Sequence, residues 1–260
     1  MYECFVRICK VMVSITMSVG SAFSFTPANK EIAQIKKSLL ALPEEFTVTA
    51  HAGAMLTRAN SMWSVKQIAA SDADVTEFDV TFRPDGTPVI RHDETPSARQ
   101  GTPLSEALAV VAEQGSMKIN LDLKAFWNLP AVQELVEQAG MLERVFFTGV
   151  GREQTARVRQ DCPKIPYYLN ASVAGDTEDA AMLHALADEV KALGAIGINL
   201  HYAGASRALC EVMHEQGLLV SVWTVNGRLD MHEMLAVGPD NITTKRPNKL
   251  LKVMELWGEQ

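Results

Sequence analysis

The sequence predicts an α/β fold, a single (β/α)8 TIM barrel with a short hairpin inserted after the second strand. Three observations carry that expectation. From Phe46 onward, short β-branched or aromatic runs alternate eight times with segments of helical period, the pattern of βα units wound around a parallel sheet. The chain has 260 residues, close to the ~250 of one such barrel. Polar residues also gather at the carboxyl ends of the expected strands, the side on which this architecture builds its active sites.

In order along the chain, a first strand is expected at 46–51, ending in His51, with a helix at 61–70. The second strand, 74–80, carries Glu77 and Asp79 on one face and Phe78 and Val80 on the other, since side chains alternate with period two. Arg83-Pro84-Asp85-Gly86-Thr87-Pro88 has strong turn chemistry, and the short run 89–91 after it reads as a hairpin ahead of the helix at 104–113. The third strand, 117–124, sets Asn120, Asp122 and Lys124 against Ile119, Leu121 and Leu123, and a helix follows at 130–139. Strands at 144–148, 165–170, 195–201 and 218–225 end in or near Thr148, Asn170, His201 and Trp223, with helices at 152–160, 177–193, 206–215 and 229–236. The eighth strand is 241–244 and its helix 248–256. A further helix at 30–42 is expected to cap the bottom of the barrel.

Composition narrows the function classes. With 47% hydrophobic and 21% charged residues the chain can bury a sizeable core, which excludes wholesale disorder and coiled coil. Basic residues number 24 against 31 acidic, a net charge of −7, so no nucleic-acid partner is expected. Cys4, Cys9, Cys162 and Cys210 show no paired metal-ligand spacing and read as buried or idle thiols. No apolar run reaches the ~18 to 20 residues of a membrane span, so no stable membrane insertion is expected. Residues 11–25, preceded by Arg7 and Lys10, have the look of a weak signal peptide. Residues 1–29 are therefore read as an extension or signal-like segment and 30–260 as one domain, cytoplasmic, with export as the alternative. Nothing in the sequence sets an oligomeric state.

Glu77, Asp79 and Asp122 fall on the inward faces of adjacent strands and should converge. Like charges that close repel, and a hard divalent cation with oxygen ligands, Ca²⁺ or Mg²⁺, is the natural neutraliser. Taken singly, His51 and His92 would read as satisfied core histidines and Trp223 and His201 as core filler. His184, His214 and His232 fall on expected helices and read as surface residues.

His51-Ala52-Gly53, Asn60-Ser61, Glu77-Phe78-Asp79-Val80-Thr81 and the run from Asp85-Gly86 to His92-Asp93 together form a recognisable pattern. It resembles the glycerophosphodiester phosphodiesterase family, with its HRG, EN, E-x-D-V and DG-x-x-V-x-x-HD blocks. Asp122-Leu123-Lys124, Val222-Trp223-Thr224-Val225-Asn226 and Ile242-Thr243-Thr244-Lys245-Arg246-Pro247 are similar to the remaining blocks.

The resemblance implies a phospholipase-C-like barrel that hydrolyses a small phosphodiester, with one divalent cation and two histidines as general acid and base. Carried across, His51 and His92 match the histidines, Glu77, Asp79 and Asp122 the metal ligands, and Lys124 and Trp223 the substrate contacts. The chain departs from the family where Ala52 replaces the arginine, Ala59 an acidic residue, Asp122 a glutamate and Lys245 an aspartate. The Asp-x-Lys form is similar to that of sphingomyelinase D enzymes, which keeps a lyase closing a cyclic phosphate as an alternative, and Ala52 keeps a non-catalytic phosphate-binding barrel as another. Lys245 follows the eighth strand, beside the first when the barrel closes, and is expected to reach the phosphate site in place of the missing arginine.

Overall fold

The computed structural model describes residues 31–32, 35, 42–94, 97, 99–173 and 179–258. The chain divides into a unit Met1–Leu39 and a unit Leu40–Gln260. The expected signal-like segment, and all but a few residues of the expected helix at 30–42, lie outside the described residues.

The second unit is the expected barrel. Its strands and helices alternate as β1 (Thr47–Ala50), α1 (Met62–Ala69), β2 (Val75–Phe82), β3 (Pro88–Ile90), β4 (Thr102–Pro103), α2 (Leu104–Ala112), β5 (Lys118–Leu123), α3 (Leu129–Gln138), β6 (Val145–Val150) and α4 (Thr155–Asp161). They continue as β7 (Tyr167–Asn170), α5 (Ala180–Ala192), β8 (Gly197–His201), α6 (Arg207–Glu215), β9 (Leu219–Trp223), α7 (Arg228–Val237), β10 (Asn241–Thr244) and α8 (Pro247–Gly258). β1 pairs in parallel with both β2 and β10, so the eight parallel strands close on themselves and their carboxyl ends share one rim.

The hairpin is longer than the sequence suggested. The carboxyl half of β2 pairs antiparallel with β3, Val80 opposite Ile90 and Phe82 opposite Pro88, and β3 pairs again with the two-residue β4. That partner is what carries β2 on to Phe82, two residues past its expected end. The expected helix at 152–160 begins as a 3₁₀ turn, Arg152–Gln154, before α4.

Period two along the strands sorts their side chains. Val48, Phe78, Val80, Ile119, Leu121, Leu169, Ile198, Val220 and Ile242 are buried and form the hydrophobic core with the helices. The opposite face of the strands is polar and hydrogen-bonded across the barrel. Asn241 Nδ2 donates to Thr47 Oγ1 at 2.8 Å and Thr49 Oγ1 at 2.7 Å, and Ser221 Oγ donates to Asn241 Oδ1 at 3.1 Å. Polar groups buried this way are tolerated because each finds a partner. Cys162 and Cys210 are buried free thiols, both pushed up to about 12 by burial first, which makes them inert; Cys4 and Cys9 lie outside the described residues.

Two histidines differ from expectation. His201, expected in the core, is exposed at the end of β8, with its ring stacked on Tyr202. His232, expected at the surface, is buried because α8 lays Trp257 over it, ring centroids 5.6 Å apart.

Candidate active site

A cavity of about 660 Å³ opens at the carboxyl ends of the strands, and its walls include His51, Glu77, Asp79, His92, Asp122, Lys124, Trp223 and Lys245. All eight residues singled out in the sequence therefore meet in one place. The volume suits a small ligand.

The carboxylates come from neighbouring strands in register. Asp79 of β2 stands opposite Asp122 of β5, and Glu77 opposite Asn120. Glu77, Asp79 and Asp122 each offer an oxygen within 4.8 Å of the others, and Glu77 and Asp79 are only 4% exposed. Lys124 is the cation beside them, its Nζ 3.1 Å from Asp79 Oδ1 and 2.5 Å from Asp122 Oδ2. Burial lowers its proton affinity, but Asp122 and Asp79 outweigh that and hold it above the ordinary lysine range.

Glu77 is left with the weaker support. Its Oε2 accepts the Ala52 backbone N–H at 2.6 Å and stands 3.5 Å from His51 Nδ1. Burial first, then the charges of Asp79 and Asp122, push it well above the usual carboxylate range. A buried carboxyl held in that state, beside two more carboxylates sharing one ammonium, is a donor set that fits a hard divalent cation.

The histidines differ in setting. His51 Nδ1 lies 2.9 Å from the Ala52 carbonyl; a carbonyl only accepts, so that nitrogen carries the hydrogen and Nε2 of the neutral ring is an acceptor. Burial lowers the His51 pKa first; the Ala52 bond and the aspartates raise it and Lys245 lowers it further, with a net fall. His92 is exposed just past β3, its Nδ1 2.9 Å from Asp93 Oδ1. That hydrogen bond holds the Asp93 carboxyl below its usual range.

Lys245 is exposed at the end of β10, where its backbone N–H donates to Asn226 Oδ1 at 2.9 Å and its carbonyl accepts from Met55 at 3.0 Å. Its charge is felt at His51 across the closure between β10 and β1. Trp223 closes the side opposite the carboxylates, with His201 edge-on at 5.6 Å. Arg91, the neighbour of His92, spends its guanidinium on the Asp93 carbonyl at 3.2 Å.

Several residues without a role evident in the sequence hold the cluster. Asn60 Nδ2 donates to Asp79 Oδ2 at 2.7 Å, while its Oδ1 accepts the Asp79 backbone N–H at 3.2 Å. It does so from a left-handed turn at φ 55°, a conformation asparagine tolerates better than most residues. Thr148 Oγ1 lies 3.0 Å from Asp122 Oδ1 and 2.8 Å from Asn120 Oδ1. One hydroxyl proton cannot serve both, so turning the Asn120 amide gives a continuous chain from Asn120 Nδ2 through Thr148 to Asp122. Gly149, at φ 76°, passes so close that a Cβ there would sit 2.7 Å from Asp122 Oδ1. Its N–H donates to Asn170 Oδ1, which Asn199 Nδ2 also reaches at 3.0 Å.

Residues 103–249 match the sequence profile of the Glycerophosphoryl diester phosphodiesterase family. Over 234 residues the chain is 24% identical to a glycerophosphodiester phosphodiesterase from Bacillus altitudinis, spanning 75% of this chain and 92% of that protein. Among solved structures, a Silicibacter pomeroyi chain assigned as a glycerophosphoryl diester phosphodiesterase superposes with a TM-score of 0.71 at 20% identity, over 86% of this chain and 98% of that one. An Oleispira antarctica phosphodiesterase, solved with its product sn-glycerol-3-phosphate, gives 0.64 at 20% identity over 82% and 97%. At these identities the structural likeness is one of fold.

Proposed function

Because the chain belongs to the glycerophosphoryl diester phosphodiesterase family, we propose that this cavity binds a glycerophosphodiester and hydrolyses it, with a divalent cation, to an alcohol and glycerol phosphate. The observation that carries the reading is the convergence of Glu77, Asp79 and Asp122 within 4.8 Å, with one lysine, Lys124, shared between the two aspartates. Those three carboxylates would hold the cation, Ca²⁺ or Mg²⁺. When bound, it supplies positive charge to the non-bridging oxygens as negative charge builds on them in the transition state.

The chain's own residues divide the remaining work. Lys124 and Lys245 attract the phosphate from two sides, Lys245 taking the part that an arginine at position 52 would have taken. Trp223, opposite the carboxylates, packs against the alcohol or glycerol portion. His51, with Nε2 as an acceptor and its pKa lowered, takes a proton from the attacking water. His92, braced by Asp93, donates a proton to the departing alkoxide, which leaves as the alcohol. The water oxygen bonds to phosphorus as the ester P–O bond breaks; one proton passes to His51 and one comes from His92, so one water is consumed and the product pair is a phosphomonoester and an alcohol. The Oleispira antarctica relative holds sn-glycerol-3-phosphate as product, which supports glycerol phosphate as the half retained here.

An activity screen over glycerophosphodiesters with different alcohols, run with Ca²⁺, with Mg²⁺ and with chelator, tests the proposal. Cation-dependent release of alcohol is expected. Turnover that ignores the chelator would overturn the metal's part, and accumulation of a cyclic phosphate would move the chain to the lyase reading.

A further inference from the structure

Six large apolar side chains are exposed among the described residues: Leu56, Trp63, Trp127, Leu219, Trp223 and Leu256. Four of them stand on one face. Leu56 lies in the turn after β1, Trp63 in the first turn of α1, Trp127 in the connection from β5 to α3, and Trp223 at the end of β9. All four positions follow strand carboxyl ends, so they share the rim on which the cavity opens. Three of the chain's four tryptophans are in this group, and only Trp257 is buried.

The exposure is built in, not a consequence of a slack loop. Leu56 is fully exposed, yet its turn is pinned by Ala54 N–H to the His51 carbonyl at 2.8 Å, Met55 N–H to the Lys245 carbonyl at 3.0 Å and Thr57 N–H to the Ala54 carbonyl at 3.2 Å. Met55 and Leu56 hold φ of 56° and 63°, a left-handed backbone that is costly for residues bearing a Cβ. Trp127 packs on Phe82 with ring centroids 4.9 Å apart, and its carbonyl accepts from Arg157.

We propose that this rim docks the mouth of the barrel on a zwitterionic phospholipid surface, so that a phosphodiester carried in that surface enters the cavity directly. Trp223 belongs to both rim and cavity wall, so whatever sits on the rim covers the mouth. A protein partner or a second copy would shut the substrate out, whereas a lipid surface is itself a source of phosphodiesters. Tryptophan suits the headgroup level, where its ring is apolar and its N–H stays hydrated. The net charge of −7 opposes an anionic surface and is indifferent to a zwitterionic one. No helix among the described residues is long and apolar enough to cross a membrane, so the contact is shallow. The inference rests on the phosphodiesterase reading only for the fate of the substrate after docking; binding itself is measured without turnover.

The test is co-sedimentation of the full chain with phosphatidylcholine vesicles, read together with tryptophan emission. The wild-type chain is expected to pellet with the vesicles and shift its emission to the blue. Leu56→Asn combined with Trp63→Gln should lower the partition coefficient about tenfold or more, while leaving turnover of a water-soluble glycerophosphodiester unchanged. Asparagine suits the left-handed turn, and both side chains are exposed, so the variant keeps the fold. Wild-type protein that stays in the supernatant, or a double variant that pellets equally well, would overturn the proposal. So would a dimer of the wild-type chain that the double variant dissolves, which would assign the rim to a second copy. Vesicle binding lost in the variant, with no phosphodiester turnover in either protein, would keep the docking and remove the enzymatic reading.

Discussion

Binding of Mg²⁺ or Ca²⁺ to the carboxylate cluster should release protons at a pH above the ordinary carboxylate range, where an unperturbed carboxyl has none left to lose, and Glu77→Gln should release almost none. Two unit charges no more than 4.8 Å apart repel by about 3.5 kcal/mol or more at an effective dielectric near 20. Glu77 has two such neighbours, against a single lysine that both aspartates already share. Protonating Glu77 removes both repulsions and the cost of burying its charge, so the metal-free protein keeps that proton to a higher pH than an ordinary carboxyl does. A cation restores the balance and expels the proton. Glutamine can still accept the Ala52 N–H but has no proton to lose. The assay is calorimetric titration of metal into chelated protein in buffers of different ionisation enthalpy, which counts the protons exchanged. The same raised pKa links to stability: the contribution is full below the ordinary carboxylate value near 4.3, and is lost as pH rises through the folded-state value. Metal-free protein should therefore melt lower as pH rises above that range, and Glu77→Gln should flatten the slope. Zero proton release by the wild-type chain, or equal release by the variant, would refute this account of the cluster.

Asp79→Asn should weaken metal affinity and activity together, with excess metal restoring part of the loss, as activity measured against metal concentration will report. His51→Ala and His92→Ala should each lower kcat by roughly 10² to 10⁴ with metal affinity nearly intact; a substrate with a good leaving group should rescue His92→Ala and not His51→Ala. Lys245→Ala should raise KM for the phosphodiester by about threefold to tenfold, the loss of one charge-assisted contact, and Ala52→Arg should recover part of it. Because the Lys245 charge helps to depress His51, the same variant should move the acid limb of the kcat/KM profile to higher pH, a shift that damage to the fold alone would not produce.

The cluster was legible because a strand has period two. Glu77 and Asp79 lie two apart, Asp122 is on a strand of the same kind, and parallel pairing sets Asp79 opposite Asp122. The place of Lys245, though not its role, follows from closure, since the last strand of a closed barrel must lie beside the first. What escaped depends on contacts that no local pattern carries. Asn60 reaches Asp79 from an irregular turn, and β4 is two residues long, too short to show a period. His201 and His232 were misread for opposite reasons. The first ends its strand and projects past the sheet; the second sits on a helix whose outer side α8 covers. Only for His232 is exposure set by a neighbour distant in sequence.

Hydrolysis of a glycerophosphodiester in H₂¹⁸O, followed by ³¹P NMR, with the metal-loaded protein and with the same protein after chelation, tests cation-dependent attack of water on phosphorus. Glycerol phosphate carrying one ¹⁸O on phosphorus, an unlabelled alcohol, and no reaction once the metal is removed are expected. A cyclic phosphate as the end product, label in the alcohol, or turnover that survives chelation would contradict that mechanism.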